Sequence, residues 1–105
     1  MKTIRQGDLL FIPEVIPGYV LEHEPEKKGV IAEGEATGHH HRVAALEDAQ
    51  VYRVHDDAYL NVGPNGVSIV HEEHHTIRLE PNTTYKVNRA REFDYLASMA
   101  RYIAD

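Results

Sequence analysis

"AYLNVGPNGVSIV", residues 58–70, places two short apolar segments on either side of a Gly-Pro-Asn-Gly connection. Residues 58–62 and 67–70 are rich in β-branched and aromatic side chains, which favour the pleated, half-buried surface of a strand. Gly and Asn tolerate positive φ and Pro fixes φ, so residues 63–66 are typical of a tight turn. The stretch predicts a β-hairpin over residues 59–70, within a fold built mainly from antiparallel strands.

Further strand-like segments lie on both sides of this hairpin. A turn at Pro17-Gly18 separates the first two, and the charged segment 23–28 is predicted to be a surface loop. About seven short strands with closely spaced turns indicate a small antiparallel β-barrel or sandwich. The predicted strands outside the hairpin are residues 8–12, 18–21, 28–35, 50–54 and 85–87.

The pattern changes near the C-terminus, where apolar residues recur with the period of an amphipathic helix. Tyr95, Leu96, Met99, Tyr102 and Ile103 would share one face, and Asp94 is a suitable N-cap. We therefore expect a short helix over residues 94–104. Because the 105 residues contain no linker or internal repeat, the chain is predicted to be a single β domain, 1–105, with this helix at its end.

Composition narrows the classes of function. Seventeen acidic against 11 basic side chains give a formal net charge of -6, which makes nucleic-acid binding unlikely. No apolar run reaches the roughly 20 residues of a membrane span, so we expect no membrane association and a cytoplasmic location. The chain has no cysteine, so any bound metal would be held by nitrogen and oxygen ligands.

Six of the eight histidines fall in two short segments, residues 39–41 and 71–75. On a strand, His39 and His41 point to the same side and can present two imidazoles in parallel. Zinc, iron, nickel and copper all accept imidazole nitrogen. The two segments together predict a site for one divalent transition metal; a solvated polar loop and a pH-responsive surface are the alternatives.

Two interpretations of the second histidine segment remain open. An unbroken strand over residues 68–79 would place His71, Glu73 and His75 on one face. A bulge or bend near Glu72 would instead bring His71 and His74 to one side. In either case Glu72 and Glu73 are the candidate catalytic residues, because a carboxylate can fix an imidazole tautomer or take a proton from bound water.

The histidine pattern resembles the metal site of the cupin superfamily, in which a G…HxH segment and a later strand histidine line a small β-barrel. Gly38, His39 and His41 match the first motif, and His71 or His74 would match the later histidine. The chain is also similar to small uncharacterised bacterial and phage proteins with the pattern AEGExTGHxH followed by HEEHxxIxLxPxxYxVxRxRE. That resemblance implies a metal-ligand set that requires the bend: His39, His41, His71 and His74.

These features favour a small metal-binding β-protein, with the enzymatic role left open. With three imidazole ligands, a water would complete the metal shell and a metalloenzyme acting on a small polar substrate is expected. With four, the metal would stabilise a non-catalytic assembly or interaction module, and exposed strand edges favour a homodimer in both cases. A weaker alternative is a metal-free nucleotide or RNA-processing protein that uses histidine as acid and base, with Arg89 and Arg91 on phosphate.

Overall fold

The computed structural model describes residues 2–33 and 38–89, with the backbone alone at Glu33. This part of the chain is mostly β, with one short helix, α1, at Gly18–Leu21. Its nine strands are β1 Ile4–Gln6, β2 Leu9–Pro13, β3 Val30–Glu33, β4 His40–Val43, β5 Ala49–Val54, β6 Asp57–Val62, β7 Val67–Val70, β8 Ile77–Leu79 and β9 Thr84–Arg89.

The strands form two antiparallel sheets. The first has the order β1-β2-β9-β6-β5 and the second the order β3-β4-β7-β8. All described pairings are antiparallel, and β3 contains a register shift between Val30 and Ala32. The prediction of a mostly antiparallel β fold is confirmed. The described strands form two separate sheets and do not close into a barrel.

The main apolar core contains side chains from both sheets. A smaller apolar cluster covers the other face of the first sheet, beside α1. Burial of this apolar surface is the main favourable contribution to folding. The main core contains Leu9, Phe11, Ile31, Val43, Ala49, Val51, Leu60, Val62, Val67, Ile69, Leu79 and Tyr85. The smaller cluster contains Ile16, Val20, Tyr52, Val54 and Tyr59.

The predicted hairpin over residues 59–70 is wrong in its pairing, although both strands and the turn exist. β6 lies between β5 and β9, whereas β7 lies between β4 and β8. Because both edges of β6 are occupied, β7 has no edge of β6 to pair with and passes to the other sheet. Gly63 anchors the connection between them: its amide donates to the carbonyl of Asp48, and its own carbonyl accepts from the amide of Asn82.

The strand predicted at residues 18–21 is also wrong, because this segment is the helical turn α1. The amide of Val20 donates to the carbonyl of Pro17, which starts the turn. A single turn buries Val20 completely while Tyr19 and Leu21 stay about half exposed. The segment therefore covers the smaller cluster with one side chain and needs no sheet partner.

The unbroken strand considered for residues 68–79 does not form. β7 ends at Val70 and β8 begins at Ile77, with a bend at residues 72–74 between them. β7 and β8 pair antiparallel, so residues 71–76, here called the histidine bend, connect two neighbouring strands. The predicted C-terminal helix at 94–104 and Arg91 lie outside the described residues. No helix within residues 2–33 and 38–89 has the length and apolar character needed to cross a bilayer.

Candidate histidine site

Four imidazoles from the two histidine segments lie together at one end of the second sheet. The ring of His41 on β4 lies 4.3 Å from the ring of His71 and 6.1 Å from that of His74, measured between centroids. The rings of His71 and His74 are 4.5 Å apart. His39 contacts the edge of His71 at 5.7 Å. These four residues, His39, His41, His71 and His74, are called the histidine cluster below.

The bend decides which histidines face the cluster. His74 contacts both His41 and His71, whereas His75 makes no ring contact among the described residues. The backbone carbonyl of His75 accepts a hydrogen bond from the side-chain amide of Gln6. The interpretation in which His71 and His74 share a side therefore fits the backbone.

Gln6, which the sequence did not single out, fixes the orientation of His41. Its side-chain amide is 2% exposed and donates to the carbonyls of Ile69 at 2.8 Å and His75 at 2.9 Å. Since carbonyls only accept, the amide nitrogen must face them and Oε1 must face His41 Nδ1, 2.9 Å away. Nδ1 therefore carries the hydrogen of the neutral ring, and Nε2 keeps its lone pair.

Burial keeps His41 neutral. Its side chain is 1% exposed, and burial lowers its pKa to about 4, helped by the neighbouring charge of His71 and opposed by Asp8. A group with this pKa is unprotonated near pH 7. The electrostatics agree with the hydrogen bond to Gln6 in leaving Nε2 as an acceptor.

Asp8 lies directly opposite this acceptor. Its Oδ1 is 3.5 Å from His41 Nε2, and its Oδ2 accepts a 2.7 Å hydrogen bond from Arg89 Nη1. Burial would by itself raise the pKa of Asp8, but the hydrogen bond and charge of Arg89 outweigh it, so the pKa is lowered. Asp8 is therefore a carboxylate at neutral pH, held by an arginine at the edge of the cluster.

Gly7 completes a two-residue turn between β1 and β2 that lies against the cluster. Its φ is 58°, in the left-handed region. A Cβ at this position would lie 2.5 Å from Nε2 of His74, so the ring of His74 packs where a side chain would otherwise be. The cluster is thus contacted by three successive residues, Gln6, Gly7 and Asp8. The sequence feature that could have indicated this turn is the Gly-Asp pair before an apolar run, because such a pair is typical of a tight hairpin.

The two predicted catalytic carboxylates flank the cluster. Glu72 Oε2 accepts the backbone amide of His40 at 2.9 Å, and this hydrogen bond is the main reason why the pKa of Glu72 is lowered. Glu73 Oε1 lies 3.6 Å from Nδ1 of His39, with the Glu73 side chain 65% exposed. Glu72 therefore connects the bend to β4 by a hydrogen bond, and Glu73 lies beside His39.

The rings do not converge on one point in this arrangement. Nδ1 of His71 accepts the backbone amide of Glu73 at 3.1 Å, so in the neutral ring the hydrogen lies on Nε2. Within residues 2–33 and 38–89, no group of three or more His, Asp or Glu side chains has its donor atoms placed to hold a metal ion. The site is a cluster of imidazoles in contact, in which the hydrogen bond to Gln6 makes His41 Nε2 an acceptor.

A cleft of about 360 Å³ lies beside this site and includes Arg89 in its wall. Arg53, also in the wall, donates to the carbonyl of Ile31 and lies 3.8 Å from Glu26. The sequence suggested Arg89 as a phosphate contact. The structure pairs it with Asp8.

The family model described as Domain of unknown function (DUF8820) matches residues 5–90, and the chain belongs to this family. The matched region contains the histidine cluster and the turn formed by Gly7 and Asp8. Comparison with curated proteins gives no match, and neither does comparison with solved structures.

Proposed function

We propose that this protein binds one divalent transition-metal ion, zinc, iron, nickel or copper, in the histidine cluster. The observation that carries the proposal is the arrangement around His41. The buried Gln6 accepts a hydrogen bond from Nδ1, so that Nε2 keeps its lone pair, 3.5 Å from Oδ1 of Asp8, in a ring that contacts His71. Histidines that bind metals characteristically donate their other ring hydrogen to such a fixed acceptor.

The spacing of the rings suits a shared cation. Two imidazoles bound at the usual metal–nitrogen distance, in tetrahedral arrangement, have ring centroids about 5 Å apart. The three closest partners, His41, His71 and His74, have centroid separations of 4.3, 4.5 and 6.1 Å. These separations lie on both sides of that value, so binding one cation would require the rings of His71 and His74 to turn their nitrogens toward His41.

One local change has to accompany binding. His71 Nδ1 is engaged by the amide of Glu73, so His71 becomes a ligand only when this hydrogen bond breaks or its ring turns over. The amide belongs to the histidine bend, outside β7 and β8. The ladder of the second sheet can stay intact while the bend adjusts.

The number of protein ligands determines what the metal does. Four ligands close a tetrahedral shell and make the ion structural; three leave a position for water, which a metal ion activates for attack on a small polar substrate. In that case Glu73, exposed beside His39, is the proton carrier. The small-molecule substrate, the homodimer, the cytoplasmic location and the cupin-like character of the site stay predictions.

Calorimetric titration of the untagged, chelator-treated protein with Zn²⁺ tests the proposal. We expect one ion per chain, and a loss of affinity of roughly 10- to 100-fold, or more, in both His71→Ala and His74→Ala. His75→Ala is the matched control, because it removes a neighbouring imidazole that makes no ring contact with the cluster among the described residues. A wild-type chain that binds no Zn²⁺, or a His75→Ala variant that loses as much affinity as His74→Ala, would refute the proposal.

A further inference from the structure

Two hydrogen-bond acceptors face each other at the centre of the site. Gln6 Oε1 accepts a hydrogen bond from His41 Nδ1, so Nε2 of the neutral ring carries a lone pair. The Asp8 carboxylate has only acceptor oxygens, and its Oδ1 lies 3.5 Å from that nitrogen. Two acceptor atoms this close repel each other, and a metal cation bound by both would remove the repulsion.

The separation of these two atoms is that of two ligands on one metal ion. A nitrogen and an oxygen bound at the usual distances, in tetrahedral arrangement, lie about 3.4 Å apart. The observed distance between His41 Nε2 and Asp8 Oδ1 is 3.5 Å. Both atoms are also held in place: His41 by Gln6, and Asp8 by the hydrogen bond of Arg89 to its other oxygen.

His39 is less well placed than Asp8 for the same ion. Among the described ring contacts, His39 touches His71 alone, at 5.7 Å and edge-on. Its Nδ1 lies instead beside the carboxylate of Glu73. Asp8 Oδ1 instead lies 3.5 Å from His41 Nε2, the acceptor nitrogen that the hydrogen bond to Gln6 fixes.

We infer that Asp8 is the oxygen ligand of the metal site, completing with His41, His71 and His74 a set of three nitrogens and one oxygen. This inference rests on the proposed function. Arg89 is then a positioning residue, which holds Oδ2 and leaves Oδ1 directed at the cation. Sets that mix imidazoles with one carboxylate are typical of zinc and non-haem iron sites.

The test is titration of the untagged, metal-free chain with Co²⁺, followed by calorimetry and by the visible absorption of the bound ion. We expect Asp8→Asn to lower Co²⁺ affinity by more than about tenfold and to shift the absorption bands, since an amide replaces the carboxylate. Asp8→Glu, which keeps a carboxylate, is expected to bind more tightly than Asp8→Asn. His39→Ala is expected to lose less affinity than Asp8→Asn.

Two controls separate coordination from general charge and from folding. Asp56→Asn removes the same charge from the corresponding turn of β5 and β6, three strands away in the sheet order and so about 14 Å distant; its affinity should be unchanged. Arg89→Gln breaks the ion pair but keeps the carboxylate. Loss of the positioning hydrogen bond lowers Co²⁺ affinity and removal of the nearby positive charge raises it, so the net loss should be smaller than in Asp8→Asn.

The outcomes distinguish the inference from the proposed function. If the wild-type chain binds no Co²⁺, both fail together. If it binds and Asp8→Asn binds equally well with an unchanged spectrum, the metal site stands and the role of Asp8 is refuted. If Arg89→Gln loses as much affinity as Asp8→Asn, the ion pair rather than coordination explains the loss, and the inference is also refuted.

Discussion

Two hairpins of the first sheet have nearly the same turn and quite different surroundings. Gly7 and Asp8 connect β1 to β2, and His55 and Asp56 connect β5 to β6. In both turns the first residue has a left-handed backbone, with φ of 58° at Gly7 and 56° at His55. The second residue in both is an aspartate.

The side chains before and within the two turns make the difference. Val54, just before the second turn, packs in the smaller apolar cluster, and Asp56 is exposed. Gln6, just before the first turn, is buried and makes three hydrogen bonds, and the carboxylate of Asp8 lies beside His41. The two turns have similar backbones, so backbone conformation alone does not create a site. A turn contributes to a site when side chains in or beside it contact polar groups of the other sheet.

The largest expected effect is at the residue before each turn. Gln6→Leu leaves the His41 ring hydrogen and the Ile69 carbonyl without their partner, and buried groups without partners cost about 1–3 kcal/mol each. We expect the free energy of unfolding of the metal-free protein to fall by about 3 kcal/mol in urea denaturation. Val54→Ala, at the matching position, should cost about 1–2 kcal/mol through lost apolar contact.

Zn²⁺ affinity gives a second comparison between the Gln6→Leu and Val54→Ala variants. Gln6→Leu should also weaken Zn²⁺ binding, because the His41 tautomer is no longer fixed, whereas Val54→Ala should leave Zn²⁺ affinity unchanged. Equal losses of stability and of Zn²⁺ affinity in the two variants would mean that Gln6 serves the fold in the same way as Val54.

A smaller effect on stability is expected at the first residue of each turn. Asn tolerates a left-handed backbone, so Gly7→Asn mainly tests the space taken by the added Cβ. That atom would meet the imidazole of His74, a mobile side-chain end, so the loss of stability should stay below about 1 kcal/mol. Displacement of His74 should nevertheless lower Zn²⁺ affinity by roughly tenfold.

His55→Asn is the counterpart in the second turn. His55 is exposed, so we expect its stability to change by less than about 0.5 kcal/mol, with unchanged Zn²⁺ binding. A Gly7→Asn variant that binds Zn²⁺ like His55→Asn would show that His74 does not need its position against the turn.

The strands were largely predictable, and their pairing was not. Alternating and β-branched segments located most of β2, β3, β5, β6, β7 and β9, because each pattern is local. β1 was missed and α1 was assigned as a strand, since three or four residues carry little periodicity. The hairpin over residues 59–70 failed because the partner of β6 depends on which edges β5 and β9 already occupy.

The histidines of the site could be selected from the sequence, and their polar supports could not. Two dense histidine segments were visible directly, and the bend required by His71 and His74 is present. Gln6 lies 35 residues from His41 along the chain, and one polar residue before a turn carries no signal of burial. Only the packing of β1 beside the second sheet brings it to the imidazole.

The central claim is that the histidine cluster holds one metal ion, and an anomalous difference map tests it most directly. Crystals of the untagged protein grown with Co²⁺, measured above and below the cobalt edge, should show one strong peak per chain about 2.0–2.2 Å from Nε2 of His41, with His71 and His74 turned toward it. A fully Co²⁺-soaked crystal with no peak among these imidazoles, or with its peak elsewhere on the chain, would contradict the account.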